Sequence, residues 1–174
     1  MGHMDISLMR KGQQSLQFSF IMKPRDLTCA LMKRDFQLEW DIPDNHLCPG
    51  ITGRINYLNE LHELLMADQE NNVTNKIMKG VDIGTGASCV YPLLGYSLYK
   101  WHFIATDIDT ESVDHANHLV SQNHLTDFIQ CVQRNENDFL LKDLVDSKTD
   151  FVMCNPPFFD NPEEVCIIAY SSLG

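Results

Sequence analysis

The stretch Val81-Asp82-Ile83-Gly84-Thr85-Gly86-Ala87-Ser88 constrains this chain more than any other. β-Branched residues run straight into a glycine turn with no helical spacing of apolar positions, so Lys79 to Ile83 reads as a short buried strand. Gly84 and Gly86 permit a sharp bend and let a ligand approach the backbone with no Cβ in the way. Ala87-Ser88 then opens a helix whose free N–H groups face that ligand. The spacing is D-x-G-x-G and not the G-x-G-x-x-G of a dinucleotide turn. Asp82 at the strand end would repel a pyrophosphate but can accept from an ammonium group, and S-adenosylmethionine carries one. A second strand, Trp101 to Thr106, is closed by Asp107 about twenty residues beyond the glycines, where a carboxylate can hold ribose hydroxyls. A lone G-x-G is as well explained by a plain tight turn; the second acidic strand end at this distance decides for the cofactor.

Asn155-Pro156-Pro157-Phe158 follows another apolar run, Phe151 to Cys154. An exocyclic amine on a base or an amide presents two N–H donors, while its lone pair is delocalised. If the Asn155 side-chain oxygen and the Pro156 carbonyl accept those hydrogens, the nitrogen is drawn toward tetrahedral geometry and its lone pair can face a methyl sulfonium. The prolines stiffen the loop. Phe158 and Phe159 offer faces on which a flat substrate can stack. The competing interpretation is an ordinary proline-rich loop at a strand end.

At these residues the chain resembles the Rossmann-like S-adenosylmethionine-dependent amino-methyltransferases. It is similar in particular to the methyltransferase-like 16 family of RNA adenine methyltransferases, through Asp82 to Gly95, Gly53-Arg54-Ile55-Asn56-Tyr57 and Cys154 to Phe159, over roughly residues 15–160. That resemblance implies methylation of the N6 amine of adenine in structured RNA, such as spliceosomal RNA or S-adenosylmethionine synthetase transcripts, with a hairpin or bulged adenine as partner. It marks Arg54 for the cofactor's carboxylate; taken alone, Gly-Arg would be a surface arginine. With Arg54, the cofactor set is Asp82, Gly84, Gly86, Ser88, Asp107, Asp138 and Asn155, and the catalytic set is Asn155, Pro156, Phe158 and Phe159. Asp138 matches a position bordering the cofactor adenine, but the family carries threonine there, and a solvated N-cap before Phe139 explains it equally well. Two other readings stay open: methylation of a protein glutamine amide, and a truncated form that binds a partner and catalyses nothing.

The net charge of −11 is awkward for an RNA enzyme, because phosphate binding calls for a basic surface. Residues 1–40 carry +2 and the remainder −13, so the front of the chain is the candidate RNA-contacting part. No run of eighteen apolar residues suggests a membrane span. The six cysteines show no C-x-x-C spacing and read as reduced and buried, in keeping with a nuclear or cytoplasmic, intracellular protein. His115 and His118, with His124 nearby, lack a completing cysteine or carboxylate pattern, so no metal is expected and they read as a polar helix face. Met1-Gly2-His3-Met4 resembles a cloning remnant. The expected oligomeric state is a monomer.

The expected fold class is α/β, a Rossmann-like methyltransferase fold with a doubly wound parallel sheet. Residues 1–40 form a front segment with a strand at Ser15 to Ile21 and a helix from Pro24 using Leu27, Ala30, Leu31 and Phe36 inward. Residues 41–160 form the core. Within this stretch and its approach, Leu38 to Ile42 is extended and Pro43 to Gly53 is a loop. A helix follows over 56–68 with Tyr57, Leu58, Leu61, Leu64 and Leu65 in one stripe, and 69–75 is a polar spacer. Helices over 88–99 and 111–123, the second with Val113, Ala116, His118, Leu119 and Val120 on one side, alternate with strands over 101–106 and 128–133. A helical turn falls in 138–146. Only four strands precede Asn155, against seven in the family order 3-2-1-4-5-7-6. The sheet is therefore expected to be incomplete at the C-terminus, with 161–174 a divergent tail whose 165–170 run is a candidate substitute edge.

Overall fold

The computed structural model describes residues 23–67, 76–135, 141 and 143–156. The expected strand at 15–21, the spacer at 69–75, Asp138, Phe158, Phe159 and the 161–174 tail lie outside the described residues.

The elements run α1 (Pro24–Phe36), α2 (Ile51–Ala67), β1 (Lys79–Ile83), α3 (Val90–Tyr99), β2 (His102–Asp107), α4 (Thr110–Gln122), β3 (Ile129–Gln133) and β4 (Phe151–Cys154). The strands form one parallel sheet in the order β3-β2-β1-β4. The chain therefore steps outward from β1 through α3 and α4 to β3, then returns across β1 to lay down β4 on its other side. Right-handed crossovers in one direction put α3 and α4 on the same face of the sheet. That face, with Phe103, Ala105, Ile129, Phe151 and Met153, joins Leu93, Leu94, Ala116, Leu119 and Val120 in a single core. Met32, Leu38, Trp40 and Leu58 extend this core over α3, so α1, α2 and the 38–42 segment are part of it.

Local departures from the expected elements have physical reasons. α2 begins at Ile51, not Asn56, and takes Gly53 and Arg54 into its first turn, where glycine costs less than in a helix interior. Leu58 is buried, but Tyr57 and Leu64 are exposed, so the inward stripe is narrower than the run of apolar residues suggests. On α1 the inward residues are Thr28 and Met32, while Leu27 and Ala30 face solvent. The Thr28 hydroxyl accepts from the Cys48 thiol at 3.4 Å, which makes its burial tolerable. α3 starts at Val90, two residues after Ser88, because the chain is still turning. Gly95, which should weaken that helix, is needed for close packing: a Cβ there would lie 2.7 Å from the Phe103 ring. On α4, Val113, Ala116, Leu119 and Val120 are buried but His118 is exposed, since about 100° per residue places it opposite Ala116 and Val120. The 38–42 segment forms no strand, yet Leu38, Trp40 and Ile42 are buried and Glu39 and Asp41 exposed, the alternation of an extended piece. Described residues in 141–146 form turns and no helix, with Asp143 at φ 61°. The five described cysteines are unbridged; Cys89 is buried, but Cys154 is exposed.

Candidate functional site

β1 is the middle of the site because it has a neighbour on each side. Its last residue, Ile83, pairs with Thr106 of β2 and with Cys154 of β4. Gly84 and Asn155 therefore leave adjacent parallel strands at the same level, and the glycine turn and the Asn155-Pro156 loop start side by side. This is the crevice at the carboxyl ends of strands where a doubly wound sheet changes direction.

The turn is held open. Gly84 and Gly86 adopt φ of 72° and 63°, and a Cβ on either would meet no atom within 4 Å. The N–H groups of Gly84 and Thr85 both donate to the Thr106 carbonyl, at 2.8 and 2.9 Å. The Gly86 N–H donates to Asp107 Oδ2 at 2.8 Å, and the Asp109 N–H to Asp107 Oδ1 at 3.0 Å. Asp107 thus ties the glycine turn to the start of α4, and each of its oxygens keeps a lone pair that can accept from a hydroxyl. Asp109 caps α4 by accepting from the Ser112 N–H at 2.9 Å.

Asp82 is buried, and neither of its oxygens has a hydrogen-bond partner. Burial pushes its carboxyl up to about 7, and the Asp107 charge adds to the effect; the Thr85 hydroxyl opposes it without reaching hydrogen-bond geometry. Arg54, in the first turn of α2, donates from Nη1 to the Gly50 carbonyl at 3.2 Å, while its buried Nε has no partner. Its charge reaches Tyr91 at the start of α3, where burial nonetheless holds the phenol above its usual range. The Tyr57 and Tyr91 rings meet edge-on at 5.6 Å. Burial, followed by the Asp82 and Cys154 charges, raises the Tyr57 phenol. α2 therefore brings Arg54 near Tyr91 and, one helical turn on, Tyr57 near Asp82 and Cys154.

Among the expected residues, the structure gathers Asp82, Gly84, Gly86, Ser88, Asp107, Arg54, Asn155 and Pro156 at one end of the sheet. Ser88 is held through its carbonyl, which accepts from Trp40 Nε1 at 2.8 Å. Asn155 and Pro156 are exposed. Residues not anticipated are Thr85, Tyr57 and Tyr91, and behind the turn Trp40 and His115. The Arg54-to-Tyr57 spacing would have revealed Tyr57 had the helix start been recognised. Cys89 follows the turn at φ 46° and its thiol faces that of Cys131 on β3; the contact and burial hold Cys89 well above the usual thiol range, while the same contact lowers Cys131.

The fit of a cationic cofactor is tested by these atoms. A buried carboxyl without a donor suits an ammonium, an open two-glycine turn suits close approach, and a partly unpaired guanidinium suits a carboxylate. S-adenosylmethionine carries each matching group. A separate cavity of about 380 Å³ lies at the opposite ends of the strands, lined by Lys79, His102, Phe128 and Leu144 among others, away from these groups. Among the described residues, no group of three or more His, Cys, Asp or Glu could hold a metal ion, and no helix is long and apolar enough to cross a membrane.

Comparison with known proteins supplies independent support. A family model described as RNA methyltransferase matches residues 3–169. The chain is 40% identical over 165 residues to the human RNA N(6)-adenosine-methyltransferase METTL16, covering 93% of this chain and 29% of the relative, so it spans under a third of that protein. It is similar to the solved N-terminal domain of human METTL16 in complex with SAH, at TM-score 0.72 and 36% identity, covering 90% of this chain and 64% of that one. It is also similar to the hMettl16 catalytic domain in complex with MAT2A 3'UTR hairpin 6, at TM-score 0.67 and 40% identity, covering 84% of this chain and 48% of that one.

Proposed function

The chain belongs to the RNA methyltransferase family, and from that premise we propose that it moves a methyl group from S-adenosylmethionine to the N6 amine of an adenine in structured RNA. The carrying observation is the register that sets the Gly84 turn beside Asn155, with the unpartnered Asp82 carboxyl beneath.

S-adenosylmethionine, when bound, supplies an electrophilic methyl. Asp82 would face its ammonium, Arg54 its carboxylate and Asp107 its ribose, while the open sides of Gly84 and Gly86 and the Ser88 backbone accommodate its close approach. A cation beside Asp82 favours the ionised carboxylate, so the proton that burial retains near neutrality leaves as the cofactor arrives. Asn155 and Pro156 accept the two amine hydrogens and hold the nitrogen lone pair toward the cofactor side. Transfer of that methyl from sulfur to the amine nitrogen would leave a protonated methylamine that sheds its proton to water, so no residue of the chain is needed as a general base before transfer. Phe158 and Phe159 would stack the base, and Asp138 would border the cofactor adenine if it takes the role of the family's threonine. The adenine must be unpaired, in a bulge or loop, because a stacked amine cannot reach Asn155.

The reading places the protein inside the cell, in the nucleus or cytoplasm, working as a monomer without a metal. RNA contact needs more charge than the front helix offers: Arg25 pairs with Asp44 at 2.8 Å, Arg34 with Asp35 at 2.6 Å, and Lys33 with Glu39. This favours weak RNA binding by these residues, with steep dependence on salt. A methyl-transfer assay with labelled cofactor on a hairpin carrying a bulged adenine, a fully paired duplex, a glutamine-bearing protein and DNA tests the proposal. Label in the bulged hairpin is expected. Label in the protein alone would establish amide methylation instead.

A further inference from the structure

We propose that His115 is a positioning residue for the cofactor: by gripping the Ala87 carbonyl from behind, it turns the Ser88 N–H toward the open side of the glycine turn. This rests on the reading of residues 84–88 as the cofactor turn. His115 stands on α4, half-buried, with Nδ1 2.8 Å from the Ala87 carbonyl and Nε2 3.1 Å from Asp41 Oδ1. Both neighbours are acceptors only, so a ring hydrogen on either nitrogen has one place to go. In a trans peptide the carbonyl and the following N–H point in opposite directions, and the described chain contains no cis peptide. Drawing the Ala87 carbonyl toward α4 therefore sends the Ser88 N–H away from α4.

The next peptide is held in the same manner. Trp40 Nε1 donates to the Ser88 carbonyl at 2.8 Å, and the Cys89 N–H turns back to the Gly86 carbonyl at 3.3 Å. Trp40 and Asp41 belong to one short segment, which Asn123 fixes by accepting from the Glu39 N–H at 2.8 Å and donating to the Glu39 carbonyl at 2.7 Å. Two consecutive carbonyls are thus gripped by side chains from two separate elements, more than a bare turn requires. The result is a Ser88 N–H set in advance for a cofactor oxygen, a carboxylate or ribose hydroxyl, with little left to reorganise on binding.

Asparagine and glutamine separate the two ends of the grip, because the amide nitrogen of asparagine falls near the place of Nδ1 and that of glutamine near Nε2. Calorimetry with S-adenosylhomocysteine on the wild type, His115→Asn, His115→Gln and Asp41→Asn, with thermal midpoints measured alongside, reads the proposal directly. His115→Asn and Asp41→Asn should bind within about threefold of the wild type, and His115→Gln should bind about tenfold more weakly, the scale of one lost hydrogen bond. Equal affinity for the Asn and Gln variants, or affinities that merely follow the midpoints, would overturn it. So would an Asp41→Asn loss as large as that of His115→Gln. A wild type that binds no S-adenosylhomocysteine would instead remove the cofactor reading beneath.

Discussion

The back and the front of the 84–89 turn treat their polar atoms in opposite ways. At the back, the N–H groups of Gly84, Thr85 and Gly86 and the carbonyls of Ala87 and Ser88 all have partners, drawn from β2, α4 and the 38–42 segment. At the front, both Asp82 oxygens, the Thr85 hydroxyl and Arg54 Nε are buried without one. Each unpaired buried polar group costs roughly 1–3 kcal/mol, so the four beside the turn support the proposal that a ligand completes the bonding there. The back is scaffold; the front is the proposed recognition surface.

The largest expected effect tests whether the front divides again into cofactor and substrate parts. Asn155→Ala should reduce methyl transfer about a thousandfold or more, because it removes one of the two acceptors that shape the amine. S-adenosylhomocysteine affinity should stay within about threefold of the wild type, since the cofactor's main partners lie on the β1 side. Parallel loss of both would merge the two parts into one. Gly84→Val attacks the turn itself. A β-branched residue at φ 72° is strained, and its side chain would fill the side that stands open, so cofactor affinity should fall about a hundredfold. Calorimetry checks it, and unchanged heats would mean that the cofactor sits elsewhere.

Asp82 sharpens the contrast through pH. Its folded carboxyl holds a proton up to about 7, while in the unfolded chain it would ionise near 4. The folded state therefore binds more protons than the unfolded between about pH 4 and 7, and stability of the cofactor-free protein should fall as pH rises through that window. Asp82→Asn should flatten that fall and leave the variant about 2–4 kcal/mol more stable than the wild type at pH 8, while weakening cofactor binding about tenfold there. Denaturant titrations at pH 5 and pH 8 measure both slopes. A wild-type profile that rises with pH would show that Asp82 is ionised and paired in the free protein.

The front was the more legible half in the sequence, and the reason is chemical. Asp82, the two glycines, Asp107 and Asn155 are each unusual at a strand end, so their placement is visible without knowing what packs around them. The back depends on contacts between distant segments: Trp40 reaching Ser88, and His115 reaching Ala87, cannot be seen until α4 and the 38–42 segment are docked. His115 and His118 look alike as H-x-x-H, and only the helical rotation, which buries Ala116 and Val120, turns the first inward and the second out. The start of α2 was obscured by Pro49, Gly50 and Gly53, read as loop residues, although the helix begins between them. That shift of five residues is what places Arg54 and Tyr57 on one helical face. The parallel sheet itself was plain from strands alternating with crossover helices, and its observed order β3-β2-β1-β4 matches the first four of the expected seven.

The smallest effect concerns the front helix, where the charge balance of the sequence and the structure part company. Counted along the chain, residues 1–40 hold an excess of basic groups. In space, Arg25 and Arg34 face Asp44 and Asp35 as close ion pairs; Asp44 lies beyond residue 40 and offsets one of the two excess charges, whereas Asp35 is already within the count. Exposed pairs of this kind contribute little to folding, and their removal should leave the thermal midpoint unmoved. Replacing both acids together, Asp35→Asn with Asp44→Asn, changes the net charge from −11 by two, frees the Arg34 guanidinium for phosphates and leaves Arg25 only its longer pair with Asp41 at 3.7 Å. Hairpin affinity should rise about two- to fivefold at low salt, and the slope of log affinity against log salt should steepen by one to two, roughly one for each phosphate newly paired with an arginine. A filter-binding series across salt concentrations reads both quantities. An unchanged slope would mean that RNA does not pass over α1, and would move the search for its binding surface to the side of the site that follows β4.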